Sequence, residues 1–399
     1  MAISGSGHGR TPGTDTTAVS SAAFTFLAFA MPASMFGVFW DDARERFDQS
    51  LGTLGLISLV YGLSRMSTSG VGRAATRRFG IGPCFIAGVV AVAVIDLVVA
   101  AASSWPMFLV GISGVGLASG LLDSVGAGVV ATIGDVGRAG VIHGAYGVGA
   151  TVGPLIVAVV PDWRWSLVVA SVVAVAALVP AVIARASWPE PPPIALASGG
   201  ALPRRATTVS LLVFAAFVAI EVTMGQWLFT YLTDGRGIGD SVAAVGVSGF
   251  WGGTTAGRLA LASARTNTFV ERVGLPALAV AAGAAYAGVV VSPGAMVVVF
   301  ATLAGLALSP LVPTMSARTV DRVGEEHAQR ISGWQLLAAN VGAISVPSLT
   351  GALVDGIGPA AVVAVVAACL ALGVPVLLAA RRLPSLSPAG GVDAAAAPG

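Results

Sequence analysis

Twelve predominantly apolar runs, 17 to 29 residues long, dominate this chain of 399 residues. They occupy 18–40, 51–70, 82–103, 105–133, 139–161, 165–184, 209–233, 241–257, 273–292, 295–317, 329–353 and 358–380. A helix needs about 20 apolar residues to cross a hydrocarbon core of roughly 30 Å. None of the runs shows the roughly ten-residue alternation of a barrel strand. Twelve membrane-spanning helices are therefore predicted. Charge points the same way: only 10% of residues are charged, against about 25% in soluble domains. Lysine is absent, and a net charge of +2 gives no footprint for a nucleic-acid partner. Cys84 and Cys369 sit far apart in apolar runs, which offers neither a disulfide framework nor a zinc pattern. The 52 glycines follow no triplet period, which excludes collagen.

The first run is too long for the 7–15-residue core of a signal peptide and reads as a span. Residues 1–16 and 384–399 are small, polar or rich in Pro and Gly, and are expected to be disordered tails. Orientation follows from arginine. With the N-terminus in the cytoplasm, sixteen arginines fall on inner segments or, for Arg330, at the inner end of a span, four (Arg44, Arg46, Arg164, Arg236) fall on outer segments, and Arg65 lies deeper within a span. Both termini are thus expected inside, at the cytoplasmic membrane.

The longest internal break, 185–208, is rich in Pro and Gly and divides the spans six and six. It is predicted to link bundles at 17–184 and 209–383. The halves echo each other faintly. Gly72-Arg73 ends span 2 as Gly257-Arg258 ends span 8, and Gly149-Ala150 precedes Pro154 as Gly342-Ala343 precedes Pro347. Parallel six-span repeats with a midplane site are a known transporter plan. These features resemble the major facilitator superfamily, whose signature loop is echoed by SGVGRAATRRFG (69–80), with Arg78-Phe79-Gly80 keeping Arg-x-Gly and Arg77 standing where the signature has Asp. GVGLASGLLD (114–123), HGAYGVGATVGP (143–154), EVTMGQWLFTYL (221–232), GFWGGTTAGR (249–258) and LSPLVPT (308–314) further resemble its fucose-permease-like branch. The resemblance implies an all-α fold of two pseudo-symmetric six-helix bundles.

Ionisable groups inside spans are costly and need a reason. Glu221, near the middle of span 7, is a candidate proton carrier or substrate acceptor; a structural carboxyl bonded to a neighbouring helix is the alternative. Asp123 follows a run of small residues in span 4. The resemblance implies proton coupling at Asp123 and a Glu at 221 within E-x-x-x-G-x-W-x-x-x-Y, here Glu221, Gly225, Trp227 and Tyr231. The branch's Asn four residues after the acid is Ala127, and its span-1 Asp is replaced by Gly37. Asp96 reads as structural. Arg73 and Arg258 are expected to cap helix ends or pair with acids at a gate. His143, titrating near neutral pH, is either a coupling group or a polar helix end. Trp40, Gln226, Trp227, Tyr231, Trp251, Trp334, Gln335 and Asn340 are candidates to line a solute cavity, whereas Trp105, Trp163 and Trp165 read as interface anchors. Gly149, Pro154, Gly342 and Pro347 mark candidate gate helices.

There is no HExxH and no P-loop, so no catalytic residue, metal or cofactor is expected. The chain reads as a monomeric secondary transporter whose partners are a small-molecule substrate, protons and the lipid bilayer. Uptake of a sugar-like or other polar solute, efflux of a hydrophobic drug or metabolite, and a non-transporting sensor are the readings left open.

Overall fold

In the computed structural model each of the twelve predicted spans falls on a helix. The structure describes residues 12–133, 136–160, 162–184, 187–188 and 203–383, so the tail segments 1–11 and 384–399 and most of the 185–208 linker lie outside the described residues. No strand occurs among the described residues. The first six helices are α1 (Pro12–Arg46), α2 (Leu54–Phe79), α3 (Ile81–Ala100), α4 (Trp105–Ile133), α5 (Val136–Val159) and α6 (Trp163–Ile183). Then follow α7 (Arg204–Thr230), α8 (Asp240–Ala260), α9 (Ala264–Val273), α10 (Leu275–Val291), α11 (Met296–Leu308), α12 (Leu311–Ala317), α13 (Thr319–Val323), α14 (Glu325–Ile357) and α15 (Ala360–Arg381).

Nine of the described helical segments are each long and apolar enough to cross a membrane, and the pair α9–α10, bent by 87°, makes a tenth. Helices α2 and α8 fall short because they carry Arg65 and Arg258 among many small and hydroxyl residues. The predicted tenth span is broken at Ser309-Pro310 into α11 and α12, where proline withholds the N–H that a continuous helix needs. The amphipathic α9 falls outside every predicted span except at Val273.

The chain divides into two compact units, one of residues 1–49 and 57–193, the other of residues 50–56 and 194–399. In the first, α1 lies along α5 and α6, and α3 along α4 and α6. The α1–α5 approach depends on glycine: a Cβ on Gly149 would collide with the carbonyl of Leu27, and one on Gly153 with Ser34 Oγ. Small residues let helix backbones come this close in lipid. Phe26, Phe29, Phe85 and Leu122 fill the core between these helices, and Trp188 stacks on Phe85 with ring centroids 4.7 Å apart. Two expectations change here. Trp163, read as an interface anchor, is buried and stacks on Phe39 at 5.1 Å. Trp40, a cavity candidate, is fully buried against Trp105. Trp165 is exposed, as an anchor requires.

In the second unit α7 lies along α14 and α15, and α8 along α11. Gly342 repeats the device of Gly149, since its Cβ would collide with the carbonyl of Ala215 on α7. Gly249, Gly253 and Gly257, four residues apart, seat α8 on α11 at Thr302 and Ser309. Arg236 donates to the carbonyls of Val289, Val290 and Ser292, which satisfies the open C-terminal end of α10. Asp355 accepts hydrogen bonds from Gly52 N and Ser50 Oγ, each at 2.7 Å.

Candidate functional site: two carboxylate–arginine pairs

Small residues spaced along α4 build the site in the first unit. Ser113, Gly116, Gly120 and Asp123 recur at three- to four-residue intervals and share one helix face. A Cβ on Gly120 would collide with the carbonyl of Arg65, and Gly116 sits against Tyr61 and Ser64. The seam with α2 is stitched by Ser64 Oγ to Ser113 Oγ at 2.8 Å and by Thr68 Oγ1 donating to the Leu117 carbonyl at 2.9 Å. Asp123, one turn beyond Gly120, accepts from Arg65 Nε at 2.5 Å. Both side chains are part-buried, Arg65 at 34% and Asp123 at 29% exposure. The pairing neutralises two charges whose separate insertion would be costly.

The second unit holds the other pair. Glu221 and Gly225 are one turn apart on α7 and face α8, where the Trp251 ring packs into the space left by Gly225's missing side chain. Two turns along α8 from Trp251, Arg258 reaches back so that Nη2 donates to both Oε1 and Oε2 of Glu221 at 2.7 Å. Glu221 is 13% exposed. The Trp251 indole N–H is buried without a hydrogen-bond partner among the described residues, so a free donor stands beside Gly225, one turn from the pair.

The other predicted site residues are distributed as follows. Trp227 is fully buried, and its Nε1 donates to the Pro347 carbonyl at 3.0 Å, tying α7 to the proline of α14. Gln226 is buried on α7, and Tyr231 is buried at the start of the π-helical turn that follows it. Gln335 is also buried; its Nε2 donates to Ser210 Oγ at 2.6 Å and to Thr319 Oγ1 at 2.9 Å. Trp334 is exposed, with the Arg330 guanidinium 5.9 Å above its ring, and Asn340 is half-buried. His143 is exposed and meets the Phe26 ring edge-on at 6.0 Å. Pro154 lies inside α5, one residue after Gly153. Arg73 is on α2, with its side chain outside the described residues. Asp96 is fully buried on α3, and neither carboxylate oxygen has a partner among the described residues. Arg65, as the partner of Asp123, is the participant that sequence reasoning did not single out. Its signal was the spacing Gly116, Gly120, Asp123, which predicts a second backbone against that face of α4. Among the described residues no cluster of His, Cys, Asp and Glu suits a metal ion.

Two solved structures of a bacterial homologue of the human lysosomal transporter Spinster share this fold. The inward-facing, occupied form superposes with a TM-score of 0.69 at 16% identity, covering 96% of this chain and 100% of that one. The inward-facing, unoccupied form gives 0.67 at 17% identity with the same coverage. No curated protein sequence matches the chain. A sequence profile of the Major Facilitator Superfamily matches residues 17–295. A multi-pass helical chain with that match over more than half its length belongs to the major facilitator superfamily, whose members carry solutes across membranes.

Proposed function

We propose that this permease moves a small polar solute by alternating access, driven by a proton gradient across the cytoplasmic membrane, with both termini inside. The observation that carries the reading is that each unit holds a part-buried carboxylate–arginine pair whose acid lies within a span, Asp123 with Arg65 and Glu221 with Arg258. A carboxylate paired with arginine is neutral as a couple. Adding a proton to the acid breaks the pair and leaves one net positive charge on the arginine. A ligand or proton shifts a conformational equilibrium only through such a difference between states. Asp123 with Arg65 is assigned to the proton, in keeping with the position that the fucose-permease-like branch uses. Glu221 with Arg258 is assigned to the solute, because the Trp251 N–H, unpartnered among the described residues and packed at Gly225 one turn away, can donate to a solute oxygen. Trp334 and Asn340 keep accessible surface for further contacts, and Trp227 and Gln335 act by holding α7 and α14 in place.

The replacement of the branch's span-1 Asp by Gly37 and of its Asn by Ala127 supports a second reading, proton-driven efflux of a hydrophobic metabolite. Counterflow in proteoliposomes separates the two. Labelled sugars and sugar alcohols form one panel, and lipophilic amines the other. The first reading expects trans-stimulated entry of a member of the polar panel, weakened by Glu221→Gln. Counterflow confined to the lipophilic panel would replace it with efflux, and counterflow of neither in folded protein would contradict both.

A further inference from the structure

We infer that the second unit binds an anionic membrane phospholipid in an apolar cavity beneath α9, with an acyl chain between α10 and α11 and the phosphate against Arg265 and Arg272. The cavity, open on one side, measures about 520 Å³ and is walled by apolar side chains, among them Leu278, Ala281, Ala284, Phe300, Leu303 and Leu306. Along α10 it runs from Leu278 to Ala285 and along α11 from Phe300 to Ala307, a depth of about 10 Å at roughly 1.5 Å per residue. Val280, Leu303 and Leu306 are exposed around it. Apolar surface on membrane-spanning helices that no protein covers faces hydrocarbon, and the hydrocarbon available there is an acyl chain.

The headgroup follows from α9. That helix meets α10 at 87°, the attitude of an amphipathic segment lying in the membrane interface. Thr266, Phe269 and Val270 line the cavity. Arg265 stands four residues before Phe269 and Arg272 three after it, so both share the face of that exposed ring. Glu271, the helix's one acid, points instead to Arg318 at 3.9 Å. Neither Arg265 nor Arg272 has an ion pair among the described residues. Two exposed arginines on the helix that lines one side of an apolar cavity match a phosphodiester with an acyl tail.

The test uses the full chain in vesicles of phosphatidylcholine containing a trace of phosphatidylglycerol or phosphatidylcholine with a diazirine on one acyl chain. After irradiation, the labelled peptides are identified by mass spectrometry. The phosphatidylglycerol probe is expected to label residues 274–310 several-fold more than the phosphatidylcholine probe. Ala284→Trp, which fills the cavity, is expected to abolish labelling by both. Arg265→Gln with Arg272→Gln, on an exposed surface where folding is unaffected, is expected to reduce phosphatidylglycerol labelling to the phosphatidylcholine level. Equal labelling by the two probes in the wild type, or an unchanged preference in the double arginine variant, would overturn the proposal. So would displacement of the probe by a lipophilic amine with the arginine variants unaltered, since the cavity would then serve a solute.

Discussion

A single nitrogen of Arg258 lies 2.7 Å from each carboxylate oxygen of Glu221, so a helix end and the middle of its neighbour are joined by one side chain. In the first unit Arg65 uses Nε on one oxygen of Asp123. The two pairs differ in how their acids are held, one oxygen of Asp123 against both of Glu221.

Removing one member of a pair should cost more than removing both. Breaking a fully buried pair costs about 3–5 kcal/mol. Arg258 is 37% exposed, so solvent screening lowers the expectation for Arg258→Gln to about 1–2 kcal/mol. The double variant Glu221→Gln/Arg258→Gln should recover part of that loss. Thermal unfolding in detergent checks the ordering, and a double variant less stable than either single would contradict it.

Gly149 and Gly342 answer to backbone, not to movable side chains: carbonyl carbons of Leu27 and Ala215 lie 2.9 Å from the positions their Cβ atoms would take. Gly149→Leu and Gly342→Leu are each expected to destabilise by about 1–3 kcal/mol or more, and to cut transport in whatever protein reaches the membrane. Gly128→Ala and Gly333→Ala, where a Cβ meets nothing within 4 Å, serve as neutral controls. Wild-type melting and transport in both Leu variants would show that the close approach is incidental.

Asp96 presents the opposite case, a buried carboxyl with no partner among the described residues. Asp96→Val is expected to leave stability equal or higher, because it removes an unsatisfied polar group, and to preserve proton-driven transport. Loss of coupling in a well-folded Asp96→Val protein would move the proton site from α4 to α3.

The sequence made the site legible wherever a motif fixed both ends of a contact. Glu221, Gly225, Trp227 and Tyr231 were readable together, and their helix does bring Glu221 to α8. Which side of α7 and α14 turns inward was not readable, so Trp227 and Gln335 looked like cavity residues when one bonds Pro347 and the other Ser210. The short α9 escaped because a search for long apolar runs passes over an amphipathic segment. Its i, i+3, i+4, i+7 pattern of Thr266, Phe269, Val270 and Val273 was there to be found.

The arginine distribution predicts an orientation that labelling can check. In a background lacking Cys84 and Cys369, single cysteines within 185–208 or at Val320 should resist an impermeant maleimide in intact cells. Glu45→Cys and Gly239→Cys should react. The reverse pattern would invert the chain in the membrane.

Proton coupling through Asp123 is the centre of the account, and internal pH measured in proteoliposomes during solute entry tests it most directly. With the solute found by counterflow, the wild type should move protons along with it. Asp123→Asn, which removes the charge with little change of shape, should abolish accumulation driven by a pH gradient and leave solute exchange largely intact. If Asp123→Asn still concentrates solute at the wild-type proton ratio, the proton does not travel on Asp123 and the assignment fails.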